Sequence, residues 1–382
     1  MIQDGASEFV IVHDGTEGAS KLANAVKETI TARFGITLEV AADVDLGENS
    51  VRQEIVIGNA RGIGAKATEN LPAEFDFAVE ARGNKLLLCA KNTVSYAYLT
   101  EYVKREVLVA DESGNLILDT DDNIVYSQSE LVAQNFIDYC QAENVTYDRD
   151  QIFSAAIYQN EDTTLPYRLY VPFNYSPDKS YALMVSLHGA GHRGDNNSSQ
   201  LGQLMKLMSR SDVAVDEVIV LAPQCPSNQK WVDTDWSLGS YSLADTPESN
   251  EIKAVMEILG QLREKYNVDA KRIYASGYSM GGYGTWNLLM NHSDVFCAAV
   301  AMCGAADPSQ AATLVDVPVW AIHGVKDPTV PVSGSQEMVA AIQAAGGTKV
   351  RYTELPDHEH DVWSYTYTDP EIFNWLFSQV KE

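Results

Sequence analysis

The sequence predicts an α/β protein in which a mostly parallel sheet flanked by helices is preceded by a smaller α/β domain. Three observations carry this expectation. Runs such as Tyr181-Ala-Leu-Met-Val-Ser-Leu187 and Val218-Ile-Val-Leu-Ala222 are nearly all apolar, as strands buried on both faces of a parallel sheet are. Stretches of helical spacing separate them, as in residues 248–266 with Ile252, Val255, Met256, Leu259 and Leu262. Between the two patterns lies Gly277-Tyr278-Ser279-Met280-Gly281, where a strand-like run at 272–276 gives way to a helix. At 382 residues the chain exceeds one typical domain. The expected division is a small α/β domain over 1–121, a linker with a helix over 122–150, and the larger domain over 151–382.

In the first domain, Phe9-Val-Ile-Val-His13 has the make-up of a strand and Asp14-Gly15 turns the chain. Leu22, Val26, Ile30 and Phe34 then recur at helical spacing until Gly35. Residues 38–40 and 54–58 read as further strands. Residues 75–80 alternate, Arg82-Gly83-Asn84 turns and residues 85–89 return, which is a hairpin. Thr93 opens a second helix through Val107, and a last strand is expected at 116–118. Gly58-Asn-Ala-Arg-Gly62-Ile-Gly64 follows a strand, but its glycines lack the dinucleotide spacing and no Lys-Ser/Thr pair follows. A plain loop is expected. Residues 122–150 are polar, with helical spacing at 129–140 through Leu131, Phe136 and Tyr139.

The second domain opens with Leu165-Pro-Tyr-Arg-Leu-Tyr-Val-Pro172, an alternating run with prolines near its ends that suits an edge strand. The strand at 181–187 runs into His188-Gly189-Ala190-Gly191, and the strand at 218–222 into a loop holding Trp231 and Trp236. Those tryptophans are expected to form either a substrate wall or a lid; the wall is preferred because the loop leaves the carboxyl edge of the sheet. Core strands follow at 296–302 and 317–322, and another at 349–354.

The chemistry converges on Ser279. A serine between glycines at a strand-to-helix turn is raised on a strained backbone, and the Met280 N–H behind it faces the place where an oxyanion would form. The Ala190 N–H, just past a His-Gly at the end of an earlier strand, is the expected second donor. Asp327 follows the strand at 317–322 and is placed to accept an imidazole Nδ1–H. The base belongs after the next strand, where His358 and His360 both lie among acids and cannot be told apart by charge. His188 and His323 end strands and are expected to be hydrogen-bonded structural residues. A His-x-His metal pair at 358 and 360 lacks a third ligand at zinc-like spacing, so no metal is expected.

Composition limits the partners. A formal net charge of −26 disfavours nucleic acid and anionic membranes, and no apolar run is long enough to span a bilayer. The first residues lack the basic flank and apolar core of a signal peptide, while the acidic, Asn- and Tyr-rich character leans towards secretion. Five cysteines show no metal spacing, and Cys297 and Cys303, in apolar surroundings, are expected to be packed thiols.

The order Ser279, Asp327, His is that of α/β-hydrolases. With Leu187-His-Gly-Ala-Gly191, Arg193-Gly-Asp195, residues 231–237, Gly277–Trp286, His323-Gly324 and His360-Asp-Val-Trp363, the second domain resembles the branch that includes feruloyl and acetyl-xylan esterases, polyhydroxyalkanoate depolymerases and sequences labelled predicted peptidases. In that branch the base stands in His-x-x-Trp ahead of a closing helix, which selects His360. The resemblance also implies that Gln224, Trp236 and Trp363 border the pocket beside Trp231. It implies a serine carboxylesterase acting without a cofactor on a small-molecule or polysaccharide ester. A peptidase is the alternative within the same machinery. The first domain resembles the small α/β domain ahead of catalytic barrels in several glycoside hydrolases, so a carbohydrate-binding protein is the alternative from another class.

Overall fold

The computed structural model describes residues 9–42, 53–60, 71, 77–82, 85–110, 116–118, 124–126, 153–172, 175, 177–208, 210 and 212–381. The chain divides into two compact units, Met1–Ser154 and Ala155–Glu382.

In the first unit β1 (Phe9–His13), α1 (Glu17–Phe34), β2 (Glu39–Ala42), β3 (Gln53–Ile57), β4 (Phe77–Arg82) and β5 (Lys85–Ala90) precede α2 (Thr93–Tyr102). The short strands β6 (Leu108–Ala110), β7 (Leu116–Leu118) and β8 (Ile124–Tyr126) complete it. The main sheet has the order β2-β1-β3-β5-β4-β8, parallel from β2 to β5, with β4 antiparallel to both its neighbours. Val10, Val12, Val56, Leu87 and Cys89 fill one side of it. Gly35 ends α1 in the left-handed region (φ 70°), where its N–H reaches the Thr31 carbonyl at 3.0 Å.

Two expectations change here. The second helix is α-helical only to Tyr102 and continues through Val103–Val107 as wider π turns. Strand β8 falls inside the stretch expected to be a linker and pairs with β4, so the sheet runs past residue 121. Three residues with little alternation do not stand out against a polar background. The turn at 83–84, most of the loop at 58–64, the helix at 129–140 and Cys140 lie outside the described residues.

The second unit contains β9 (Ser154–Gln159), β10 (Thr164–Tyr170), β11 (Tyr181–Leu187), α3 (Leu204–Met208), β12 (Val218–Pro223), α4 (Asn250–Lys265), β13 (Val268–Tyr278) and α5 (Met280–Asn291). It closes with β14 (Ala298–Met302), β15 (Val319–Gly324), α6 (Ser333–Ala344), β16 (Val350–Leu355), α7 (Val362–Thr366) and α8 (Pro370–Ser378). The sheet order is β16-β15-β14-β13-β11-β12-β10-β9. Strands β11 to β16 run parallel, while β10 is antiparallel to β12. The run at 165–172 is therefore not the edge, because β9 lies outside it. Pro166 is tolerated because the β10–β12 pairing begins at Tyr167.

Every residue of β11, β12 and β14 is buried, as their apolar composition requires. Helix α4 starts at Ser249, whose Oγ accepts the Ile252 N–H. Helix α8 starts at Asp369 with Pro370 in its first turn, where a missing N–H costs nothing. The carboxyl ends of β11, β13, β15 and β16 open at one edge of the sheet and lead into residues 188–190, Ser279, Asp327 and His360. Parallel α/β sheets bind ligands at that edge.

Candidate active site

Ser279 stands between β13 and α5 with φ 57° and ψ −125°, a conformation that a residue with a Cβ adopts only under restraint. Its neighbours supply the restraint. A Cβ on Gly277 would lie 2.3 Å from the Gly281 carbonyl oxygen, and one on Gly281 would lie 2.0 Å from that of Leu187. Only glycine at both places lets strand and helix pass this closely. The Ser279 N–H donates to the Met302 carbonyl at 2.9 Å, which ties the turn to the end of β14. The turn therefore points the Ser279 hydroxyl away from the sheet, while the N–H of Met280 opens the first turn of α5, where backbone donors have no intrahelical partner.

The hydroxyl meets His360. Ser279 Oγ lies 2.7 Å from His360 Nε2, and His360 Nδ1 lies 2.6 Å from Asp327 Oδ2. An ionised carboxylate only accepts hydrogen bonds, so Nδ1 carries the proton and Nε2 is free to accept the one on Ser279. The Asp327 side chain is fully buried, and burial alone would push its pKa up. Hydrogen bonds from His323, His360 and the N–H groups of Val330 and Thr329 outweigh that and hold the carboxyl well below the usual range. Asp327 is thus an anion fixed in place by four donors.

The loops bearing Asp327 and His360 are joined by their backbones. Val325 N–H donates to the Leu355 carbonyl and Lys326 N–H to that of His358, each at 3.1 Å. Gly324 permits the approach, since a Cβ there would stand 2.2 Å from the Glu359 oxygen. The Trp363 and His360 rings meet nearly at right angles, with centroids 5.4 Å apart at 86°. Trp363 also packs on Tyr278 at 5.0 Å. His358, the competing imidazole, turns to Asp361 at 3.2 Å.

His188 and His323 have the structural character expected of them. His188 Nδ1–H donates to the Gly189 carbonyl at 2.8 Å and Nε2 accepts the Cys225 N–H at 2.9 Å, while burial lowers its pKa to about 4 and keeps it neutral. His323 faces Ser335 Oγ at 2.8 Å and the Val330 carbonyl at 3.1 Å. Ala190 begins a short 3₁₀ turn just after Gly189. A Cβ on Gly189 would come 2.8 Å from the Tyr278 ring and 3.4 Å from the Ser279 Cβ, so this turn lies against the serine.

The expected pocket residues separate. Trp363 is half-buried beside His360, and Trp236 is half-buried with the Arg193 and Lys230 cations against its ring. Trp231 is not a wall: it is fully buried, and its indole N–H donates to the His188 carbonyl at 3.1 Å from beneath the turn. Gln224 is also fully buried, with both ends of its amide bonded to the loop after β11. Sequence patterns in loops do not distinguish a tryptophan that lines a cleft from one that supports it.

One neighbour escaped the sequence reading. Cys303, at the end of β14 with φ 38°, has its sulfur within 4.8 Å of donor atoms of Asp327 and His360. Its place directly after a core strand, at the same edge as Ser279 and Asp327, was the available signal. Burial pushes the thiol well above its ordinary pKa. These three are the group among the described residues with the donor types of a metal site. The thiol is held protonated, and the imidazole and carboxylate beside it are already hydrogen-bonded to each other. Cys89, Cys225 and Cys297 are likewise buried free thiols. Among the described residues no helix is long and apolar enough to cross a membrane.

Residues 160–364, more than half of the chain, match the profile of the Esterase family. A thermostable esterase of known crystal structure is 36% identical, with a TM-score of 0.53, over 60% of this chain and 63% of that one. A "bifunctional acetylxylan esterase/xylanase" from Neocallimastix patriciarum is 27% identical over 160 residues, which are 42% of this chain and 21% of that protein. A "probable feruloyl esterase C" from Aspergillus niger is 25% identical over 202 residues, 52% of this chain and 68% of that protein. The chain thus spans under two thirds of the first two of these.

Proposed function

This chain belongs to the Esterase family, a group of carboxylic ester hydrolases, and we propose that Ser279, His360 and Asp327 are its nucleophile, base and acid. The observation that carries the reading is the unbroken hydrogen-bonded chain, 2.7 Å from Ser279 to His360 and 2.6 Å on to Asp327, set on a strained turn. Ser279 Oγ attacks the ester carbonyl carbon while His360 Nε2 takes the hydroxyl proton. The carbonyl oxygen becomes an oxyanion, held by the N–H groups of Ala190 and Met280. Each such donor is worth about 3 kcal/mol in the transition state. The intermediate collapses as His360 returns the proton to the departing alcohol, which leaves an acyl group on Ser279. Water, deprotonated by His360, attacks that acyl carbon, and a second collapse frees the acid and restores the serine. Asp327 remains an anion throughout and stabilises the imidazolium. The sequence of steps needs no metal and no organic cofactor.

The substrate class we propose is a feruloyl or acetyl ester on plant polysaccharide. The names of the relatives favour it, and so does the half-buried Trp363 ring beside His360, an apolar surface suited to an aromatic acyl group. The Ser279→Ala variant is expected to lose hydrolysis of p-nitrophenyl acetate and methyl ferulate while unfolding at or above the native temperature. Measurable turnover by the pure variant would refute the assignment. Release of ferulate and acetate from decorated xylan, compared with triacylglycerol hydrolysis, tests the substrate class.

A further inference from the structure

We propose that Gln224 is a positioning residue for the oxyanion donor at Ala190, a role that rests on the reading of that N–H given above. Gln224 follows β12 and is fully buried. Its Oε1 accepts the Asn197 N–H at 2.6 Å, and its Nε2 donates to the His192 carbonyl at 3.0 Å and to Asn196 Oδ1 at 2.9 Å. The next residue continues the pattern through its backbone: Cys225 N–H donates to His188 Nε2 at 2.9 Å, and its carbonyl accepts the Gly194 N–H at 3.0 Å. Two consecutive residues thus fix the loop after β11 at positions 188, 192, 194, 196 and 197, and Ala190 lies within that span.

The loop needs holding. Asn197 has φ 47° and Gly194 φ 151°, both in the region that favours glycine, so this path is not one the chain keeps unaided. The amide is also the right chemistry. It meets one N–H with its oxygen and two oxygen atoms with its NH2 group, which a carboxylate of the same shape cannot do. A Cβ on Gly194 would lie 3.3 Å from Nε2, so the fit is close. Glutamate here would set an oxygen against the His192 carbonyl and Asn196 Oδ1, and the resulting repulsion would displace the turn that begins at Ala190.

The test uses the full chain as Gln224→Glu, Gln224→Met, Asn196→Ala and Ala190→Pro. Proline suits the first position of the turn, because the preceding Gly189 is extended at φ −77° and ψ 168°, and it replaces the N–H with a ring methylene that cannot donate. The readouts are kcat and KM for p-nitrophenyl acetate, the Ki of phenylboronic acid, which forms a tetrahedral adduct on a nucleophilic serine, and the unfolding temperature. Ala190→Pro is expected to lower kcat roughly 100- to 1000-fold. Gln224→Glu is expected to lower it about 10- to 100-fold with KM within about twofold, and to raise the boronate Ki by the same factor as kcat falls. Gln224→Met should fall between Gln224→Glu and native. Folded Gln224 variants with native kcat and Ki would overturn the inference, and so would a loss of kcat with native Ki. If neither Gln224 variant folds, Asn196→Ala decides, and native kcat and Ki there would overturn it. Native kcat in Ala190→Pro would instead overturn the oxyanion reading itself.

Discussion

At the residue scale, the candidate acid is as constrained as the candidate nucleophile. Asp327 Oδ1 accepts the N–H groups of Thr329 and Val330 at 2.8 and 2.9 Å, while Oδ2 meets His360 at 2.6 Å and His323 at 3.4 Å. Asparagine would keep the shape, but it would either offer an NH2 group to His360 Nδ1, favouring the wrong tautomer, or face its NH2 against two backbone donors. Asp327→Asn is expected to lower kcat on the order of 10⁴-fold with a small change in KM, measured on p-nitrophenyl acetate. The sign of its titration also follows. A carboxyl depressed in the folded state contributes stability that is present above its unfolded value, about 3.9, and is lost as pH falls through the lower folded value. Ser279 and Asp327 could be singled out as candidates because a tight turn and a strand end restrict which residues fit. His360 was separated from His358 only by the His-x-x-Trp resemblance, since local charge is the same for both. Gln224 and Trp231 were misread as lining the pocket, because burial of a loop side chain depends on segments distant in sequence.

At the element scale, the apolar strands were legible and the small ones were not. Strands β11, β12 and β14 are buried on both faces and carry their signature in composition. Strands β8 and β9 are outer members of their sheets, and neither carries a long apolar run in the sequence. Loop-to-loop contacts were also hidden, among them the seam at Val325–Leu355 and Lys326–His358 that joins the loops of Asp327 and His360. Gly324→Ala probes that seam. A methyl 2.2 Å from the Glu359 oxygen must push the loop bearing His360 away. The expected result is a kcat lower by about 10- to 100-fold and a reduced unfolding temperature, read by steady-state kinetics and calorimetry. Native kinetics would show that the seam does not set the distance from His360 to Asp327.

At the scale of the whole molecule, each unit has its own sheet and its own core. Every residue proposed to take part in ester hydrolysis belongs to the second. Residues 151–382 produced alone are therefore expected to fold and to keep kcat/KM on p-nitrophenyl acetate within about threefold of the full chain, as independent domains do. A much larger loss would assign the first unit a part in the chemistry. For the first unit we propose an accessory role in carbohydrate targeting, and retention of the full chain on insoluble xylan, lost on its removal, would support it.

The twisted backbone at Ser279 also bears on how this protein can change over generations. Glycine would relax there, so a change to glycine would be favoured by durability and opposed only by the proposed chemistry. Copies freed from the need to turn over substrate would be expected to lose the hydroxyl early and outlast their working relatives.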